Sequence, residues 1–239
     1  MGILNVTPDS FADGGRHNDL EAAVARGLEM IAEGVDIIDI GGESTRPGAD
    51  RVSEAEEIAR TIPVITELAK HGVRISIDTM RASTAEAAIK AGASIINDVS
   101  GGLADSEMLQ TAARLQVPYI AMHWRGQSKD MNSKAIYGDV VSDVISELNE
   151  RIEAALDAGI QKDKLIIDPG LGFAKDAEHN WAIIDSIDRF VALGYPVLVG
   201  GSRKRFLGGE TPDEREQATI ELTKRLGTTG VWAVRVHSV

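Results

Sequence analysis

Hydrophobic positions in this chain fall into two kinds of segment that take turns along its length. Eight short runs, at 2–6, 35–40, 73–78, 93–98, 117–122, 164–168, 196–200 and 230–236, are mostly β-branched and continuous rather than alternating. That is the pattern of strands covered on both faces. Between them lie stretches of helical periodicity: Leu20 to Glu33, Ser53 to Lys70, Arg81 to Ala91, Ser106 to Leu115, Val140 to Ala158, Trp181 to Leu193 and Asp213 to Leu226. Several close on a glycine (Gly34, Gly72, Gly92, Gly159, Gly194), the residue that best tolerates a left-handed helix end.

The apolar runs finish in polar residues with chemical potential: Asn5, Asp39, Asp78, Asn97, His123, Asp168, the Ser202-Arg203-Lys204 step, and Arg235 with His237. Strands with reactive carboxyl ends, alternating with helices that carry none, predict an α/β fold, the (β/α)8 TIM barrel of eight parallel strands, with one site at its top face. The strand-to-helix loops at 7–19, 41–52, 123–138 and 201–212 are longer and richer in Gly, Pro and charge than the return loops. Chemistry is expected on that side. Residues 1–239 are expected to form one barrel domain, a common length for this class. The last helix is apparently absent from the chain, so residues are expected to be missing at its ends and near 206–213.

Charge and composition narrow the function. An excess of 37 acidic over 25 basic residues gives a net charge of -12, and aromatic residues make up only 4%. Both argue against nucleic acid as a partner. No stretch approaches the roughly 18 apolar residues of a membrane span, and the start lacks the layout of a secretory signal. The absence of cysteine excludes disulfides, thiolate catalysis and Cys-ligated zinc. A cytoplasmic enzyme without membrane partners fits these properties.

Asp78, Asn97 and Asp168 end the third, fourth and sixth runs, so the barrel brings two carboxylates and an amide to one region of its mouth. They complement a flat ligand with a guanidine-like edge, such as a pterin or a guanine, whose N–H groups carboxylates accept in pairs. The alternative for any one Asp is helix or turn capping, as at Asp78 before Thr79 or Asp98 before Val99 and Ser100. Against the acidic background, Arg46, Arg203, Lys204, Arg235 and His237 form a cationic patch on the same side. Arg235 and His237 are two residues apart on one strand, so both can grip one phosphate. No HExxH, His-x-His or calcium-loop pattern occurs, which argues against an all-protein metal cage. Magnesium carried in with a diphosphate needs only one or two protein oxygens, which Asn5 and Asp13 can supply. Gly170-Leu171-Gly172 reads as a turn, not a dinucleotide loop.

Seven segments in order, Ile3 to Phe11, Gly41 to Gly48, Ser76 to Thr79, Ile96 to Gly101, Asp168 to Gly170, Ser202 to Lys204 and Arg235 to His237, resemble the dihydropteroate synthase family. The resemblance covers nearly the whole chain. It implies condensation of p-aminobenzoate with 6-hydroxymethyl-7,8-dihydropterin diphosphate to 7,8-dihydropteroate and pyrophosphate, in folate biosynthesis, with Mg2+ as cofactor, inhibition by sulfonamides, and a homodimer. Asp78, Asn97, Asp168, Lys204 and Arg235 are then expected to hold the pterin. Asn5, Arg235 and His237 are expected to hold the diphosphate, Asn5 and Asp13 the metal, and Phe11, Thr45, Arg46, Pro47, Phe173, Ser202 and Lys204 the p-aminobenzoate. Catalysis is expected of Lys204, Arg235, His237 and Asp78, by dissociative substitution without a nucleophilic side chain. Ser238 stands where the family commonly has an acidic residue. Two rivals share the barrel: a pterin-binding methyltransferase domain, which needs no diphosphate patch, and a non-catalytic homologue, in which the Thr-Arg-Pro and Ser-Arg-Lys steps would have decayed.

Overall fold

The computed structural model describes residues 1–7, 15–44, 51–127 and 131–239, the side chains of 15–18 and 132 excepted. Its strands are β1 (Gly2–Asn5), β2 (Ile37–Gly41), β3 (Arg74–Asp78), β4 (Ile95–Asp98), β5 (Tyr119–Met122), β6 (Leu165–Asp168), β7 (Leu198–Val199) and β8 (Ala233–Val234). β1 to β6 pair in chain order and β7 pairs with β8, all in parallel. Parallel bridges Ile167↔Val197 and Gly2↔Val236 join β6 to β7 and β8 to β1. The second junction carries three hydrogen bonds, from Ile3 N–H to Val236 O at 2.8 Å, from Val236 N–H to Met1 O at 2.9 Å and from the Met1 amino nitrogen to Val234 O at 2.9 Å. The ring is therefore continuous, as the strand-end pattern predicts.

A two-residue period runs through this ring. Ile37, Ile95, Ile120, Ile166 and Leu198 pack together with Met1, Trp232 and Ala233 in the barrel interior. Two positions further along the same strands stand Asp39, Asn97, Met122, Asp168, Gly200 and Arg235. Side chains two apart on a strand share a face, so an apolar floor lies beneath a ring of functional groups. The intervening residues, among them Ile38, Ile40, Ile75, Ile77, Ile96, Tyr119 and Ile167, face outward into the main core.

The helical layer is α1 (Gly15–Glu33), α2 (Glu54–Ala69), α3 (Ala82–Ala91), α4 (Met108–Leu115), α5 (Val140–Asp157), α6 (Ala177–Asp185), α7 (Ile187–Val191) and α8 (Glu216–Leu226). Side chains cap three of them by accepting N–H bonds: Ser53 from Glu56, Asp139 from Ser142 and Asp176 from His179. The segment read as one helix from Trp181 to Leu193 differs. It begins earlier, because Asp176 and His179 form a reciprocal cap, and it breaks at Ser186, where φ is -113° and ψ is 23°. Serine competes with its own backbone for hydrogen bonds and favours helix ends over interiors. No helix among the described residues is long and apolar enough to cross a membrane.

The turn after β4 shows what the alternative capping role looks like. Asp98 is fully buried and its carboxylate accepts four bonds: Ser100 N–H at 2.8 Å, Ser100 O–H at 2.7 Å, Gly102 N–H at 2.7 Å and Tyr119 O–H at 2.8 Å. Asp98 is thus a structural anchor, whereas its strand neighbour Asn97 turns inward. Removing one donor from a buried carboxylate costs about 1–2 kcal/mol. Tyr119→Phe is expected to lower unfolding stability by about that amount in urea titration while leaving kinetic constants unchanged. Stability equal to wild type would show that the phenol bond contributes nothing net.

Candidate active site

At the carboxyl ends of the strands the described side chains form one connected charge cluster. Arg235 donates from Nε to Asp39 Oδ2 at 2.6 Å and from Nη2 to Asp78 Oδ2 at 2.7 Å. Asn97 Nδ2 donates to the same Asp39 oxygen at 3.0 Å. Asp39 is fully buried, and Asp78, Asn97 and Asp168 are nearly so. Burial works against the Arg235 charge, but Asp39 and Asp78 outweigh it and hold the guanidinium above its ordinary value. Burial pushes Asp78 up to about 7 against the pull of Arg235, with Asp39 adding to the rise. Asp168 is raised by burial as well, opposed by the Gly170 N–H that donates to it at 2.7 Å.

Lys204 approaches from the loop after β7. Its Nζ donates to Leu171 O and lies 4.8 Å from the centre of the Phe173 ring. Burial draws it down to about 8, with Asp168 opposing. The turn it touches leaves no room for a side chain at Gly170, where φ is +69° and a Cβ would stand 2.4 Å from the His123 carbonyl oxygen; Gly172 has φ +77°, and a Cβ there would stand 2.9 Å from Lys204 Cδ. This glycine pair is the turn that the sequence suggests.

Three carboxylates (Asp39, Asp78, Asp168) thus face two cations (Arg235, Lys204) in a site with low dielectric walls. Carboxylates held in such a setting stabilise positive charge that develops beside them. Beside it Met80, Val99 and Met122 pack with Ala104, Trp124 and Phe173 into an apolar wall, suited to the face of a flat ring. His237 stands two residues beyond Arg235, and its Nδ1 lies 3.0 Å from Ser202 Oγ, which also accepts the His237 backbone N–H at 3.2 Å. Asn5 ends β1, in register with Gly41 of β2.

The sequence expectations divide into three groups. Asp78, Asn97, Asp168, Lys204, Arg235, His237, Asn5, Phe173 and Ser202 all lie at this mouth. Phe11, Asp13, Thr45, Arg46 and Pro47 lie outside the described residues. Arg203 departs from the cationic patch: with φ +57° it turns away, donating to Glu216 Oε2 at 2.6 Å and to Ser238 Oγ at 2.8 Å. Ser238 therefore serves Arg203, while Ser202 supports the His237 ring. Asp39 was legible as a strand end but without a role; its position two residues beyond Ile37 is the signal that places it inside the barrel. Met80, Val99 and Met122 carried no signal beyond being apolar.

A model of pterin-binding enzymes matches residues 1–237. The dihydropteroate synthase of Mycobacterium leprae (strain TN) is 47% identical over 249 residues, spanning 100% of this chain and 88% of that one. Among solved structures, dihydropteroate synthase of Xanthomonas albilineans with 4-aminobenzoic acid superposes with a TM-score of 0.93 at 45% identity, covering 99% of this chain and 86% of that one. The Yersinia pestis dihydropteroate synthase with a sulfonamide drug gives 0.94 at 40% identity, covering 100% and 88%. Likeness at this level, over nearly the whole chain, makes it a member of the dihydropteroate synthase family of pterin-binding enzymes, transferases of folate biosynthesis.

Proposed function

We propose that this mouth joins p-aminobenzoate to 6-hydroxymethyl-7,8-dihydropterin diphosphate, with Asp78, Asn97 and Asp168 gripping the pterin edge and Lys204 and Arg235 flanking it. The observation that carries this reading is the convergence of those five side chains above one apolar floor. His237 and Asn5 extend the grip to the diphosphate. Phe173, Ser202 and Lys204 line the arylamine side, together with Phe11, Thr45, Arg46 and Pro47, and sulfonamides compete there as mimics of p-aminobenzoate. The reading includes a single barrel domain that works as a homodimer in the cytoplasm.

The reaction needs no side-chain nucleophile. The bond between the pterin methylene and the diphosphate oxygen breaks with its electron pair leaving on pyrophosphate, and the cation is delocalised over the dihydropterin. The arylamine lone pair then forms the C–N bond, and the amine proton passes to solvent or pyrophosphate. The carboxylates around the pterin stabilise the cation, Arg235 and His237 receive the leaving oxygens, and the pocket holds the amine near the methylene. The Asn5 amide supplies a hard, neutral oxygen donor at the strand end, and Asp13 would supply a carboxylate. That set suits Mg2+, which retains waters and phosphate oxygens, and its role when bound is to neutralise charge on the diphosphate.

Pyrophosphate release is the direct assay. Release is expected only when dihydropterin diphosphate, magnesium and p-aminobenzoate are all present; full-rate release without the arylamine would overturn the condensation. Arg235→Ala is expected to lower turnover about 100- to 1,000-fold, the loss typical of one charge-stabilising donor, with the fold retained by circular dichroism. Asp39→Asn keeps the shape but removes the charge that seats Arg235, so kcat/KM is expected to fall about tenfold or more. Wild-type kinetics in either variant would remove that residue from the mechanism.

The pH dependence follows from two groups. Asp78 must be ionised to accept pterin N–H bonds and gains that form as pH rises through about 7. Lys204 must be charged and loses its proton as pH rises through about 8. A bell-shaped profile of kcat/KM for the pterin substrate, highest between those values, is expected, since this quantity reports the free enzyme. The acid limb should vanish in Asp78→Asn. A profile flat from pH 6 to 9, on the order of three units, would show that neither group titrates there.

A further inference from the structure

Beside the mouth lies a second buried polar chain to which the condensation assigns no role. Lys175 is 8% exposed and its Nζ has three neighbours: His123 Nδ1 at 2.8 Å, Gly170 O at 3.1 Å and Phe173 O at 3.1 Å. His123, 1% exposed at the end of β5, places its other ring nitrogen 2.9 Å from Glu147 Oε2 on α5. Glu147 also accepts from Arg125, whose guanidinium lies 3.9 Å over the Tyr137 ring. Tyr137 in turn donates its hydroxyl to Ala174 O at 2.9 Å.

The protons in this chain can be placed. Burial and the adjacent Lys175 charge push His123 down to about 4, so the ring is neutral and carries one proton. A carboxylate can only accept, so that proton sits on Nε2 and is donated to Glu147, and Nδ1 is left as an acceptor. Lys175 is then the donor in all three of its bonds, the arrangement of an ammonium. Burial pulls it well below the usual lysine range, and Asp168 and the three acceptors around Nζ work against that pull.

What this ammonium holds is the turn that lines the site. Four carbonyls of residues 170–174 are each held by a side chain: Gly170 and Phe173 by Lys175, Leu171 by Lys204, and Ala174 by Tyr137. Gly172 N–H donates to Asn180 Oδ1 at 2.6 Å. The backbone needs such restraint, because Gly170, Gly172 and Ala174 all have positive φ, of 69°, 77° and 49°. An alanine there is strained and persists only when its surroundings determine it. A turn set in this way fixes both the Phe173 ring and the Leu171 carbonyl that receives Lys204.

We propose that Lys175, oriented by His123 and Glu147, is a positioning residue that presets the 170–174 turn and so seats Phe173 and Lys204 for p-aminobenzoate. The inference rests on the reading of Phe173 and Lys204 as part of the arylamine pocket. It assigns Lys175 no contact with substrate. Its signature is therefore a larger loss for p-aminobenzoate than for the pterin: Asp168 and Lys204 touch the turn, but Asp78, Asn97 and Arg235 hold the pterin from strand ends away from it.

Steady-state kinetics of the full chain test it, with Lys175→Met, His123→Gln, Tyr137→Phe and Phe173→Ala measured beside wild type. Lys175→Met is expected to raise KM for p-aminobenzoate about tenfold or more, with KM for dihydropterin diphosphate within about threefold. In His123→Gln the amide oxygen accepts from Lys175 and its NH2 donates to Glu147, so both KM values should stay within about threefold. Tyr137→Phe removes one carbonyl restraint from a partly exposed position and should show the same split at smaller size, which keeps the test open should Lys175→Met not fold. A folded Lys175→Met with wild-type KM for p-aminobenzoate, or equal losses for both substrates, overturns the proposal. An unchanged arylamine KM in Phe173→Ala sinks the pocket reading and this inference together; a raised one beside a normal Lys175→Met sinks this inference alone.

Discussion

Arg235 is the interaction on which the rest of the mouth depends. It stands just past the last strand, yet its guanidinium reaches carboxylates of the second and third strands, so the place where the ring closes is also the place where the site is assembled. Removing one partner of such a buried pair leaves an uncompensated charge, commonly a loss of about 3–5 kcal/mol. That cost keeps the two carboxylates and the arginine together, and it also explains the position of Asn97. Its amide shares the Asp39 oxygen already bound to Arg235, so the pterin clamp inherits its orientation from the ion pair. Among the described residues, Asp39 Oδ1 and Ser76 Oγ, on register partners of β2 and β3, are buried without a hydrogen-bond partner.

The fold was legible because its periods are simple. Continuous β-branched runs alternating with helical patterns admit few architectures, and a reactive residue at each strand end narrows them to one. Where the reading missed, the cause is local. The helix read from Trp181 begins at Ala177 because Asp176 and His179 cap each other, a pairing that the usual acidic or amide partner does not announce. The eighth run is longer than its ladder, where pairing covers Ala233–Val234; beyond it Trp232 N–H bonds to Val197 O on the β7 side and Val236 bonds to the β1 side.

The site was legible one residue at a time but not as a network. Type and position name Asp78, Asn97, Asp168, Lys204 and Arg235 as candidates, and they do converge. Type alone cannot tell which member of the Asn97-Asp98 pair faces the site; strand parity does, sending Asn97 inward and Asp98 out to the turn. Nor can a run of Ser-Arg-Lys reveal that its middle residue adopts a left-handed backbone and leaves the site for Glu216. Asp39 and Lys175 were harder still, because each acts through another group, Asp39 through Arg235 and Lys175 through carbonyl oxygens. Backbone acceptors have no letter in a sequence.

Chemistry of this kind explains why so many of these groups are held before substrate arrives. When a leaving group departs ahead of bond formation, the enzyme gains only from charges already in place, since dipoles that must swing into position spend their interaction on reorganisation. The arginine between two carboxylates and the turn pinned at four carbonyls are two forms of the same solution. One fixes charge around the pterin, where the cation develops; the other fixes shape on the side from which the amine attacks. Each draws part of its restraint from a buried group outside the proposed substrate contacts, Asp39 for the arginine and Lys175 for the turn, so the barrel's tolerance of buried charge is what makes its mouth rigid enough to do without a nucleophile.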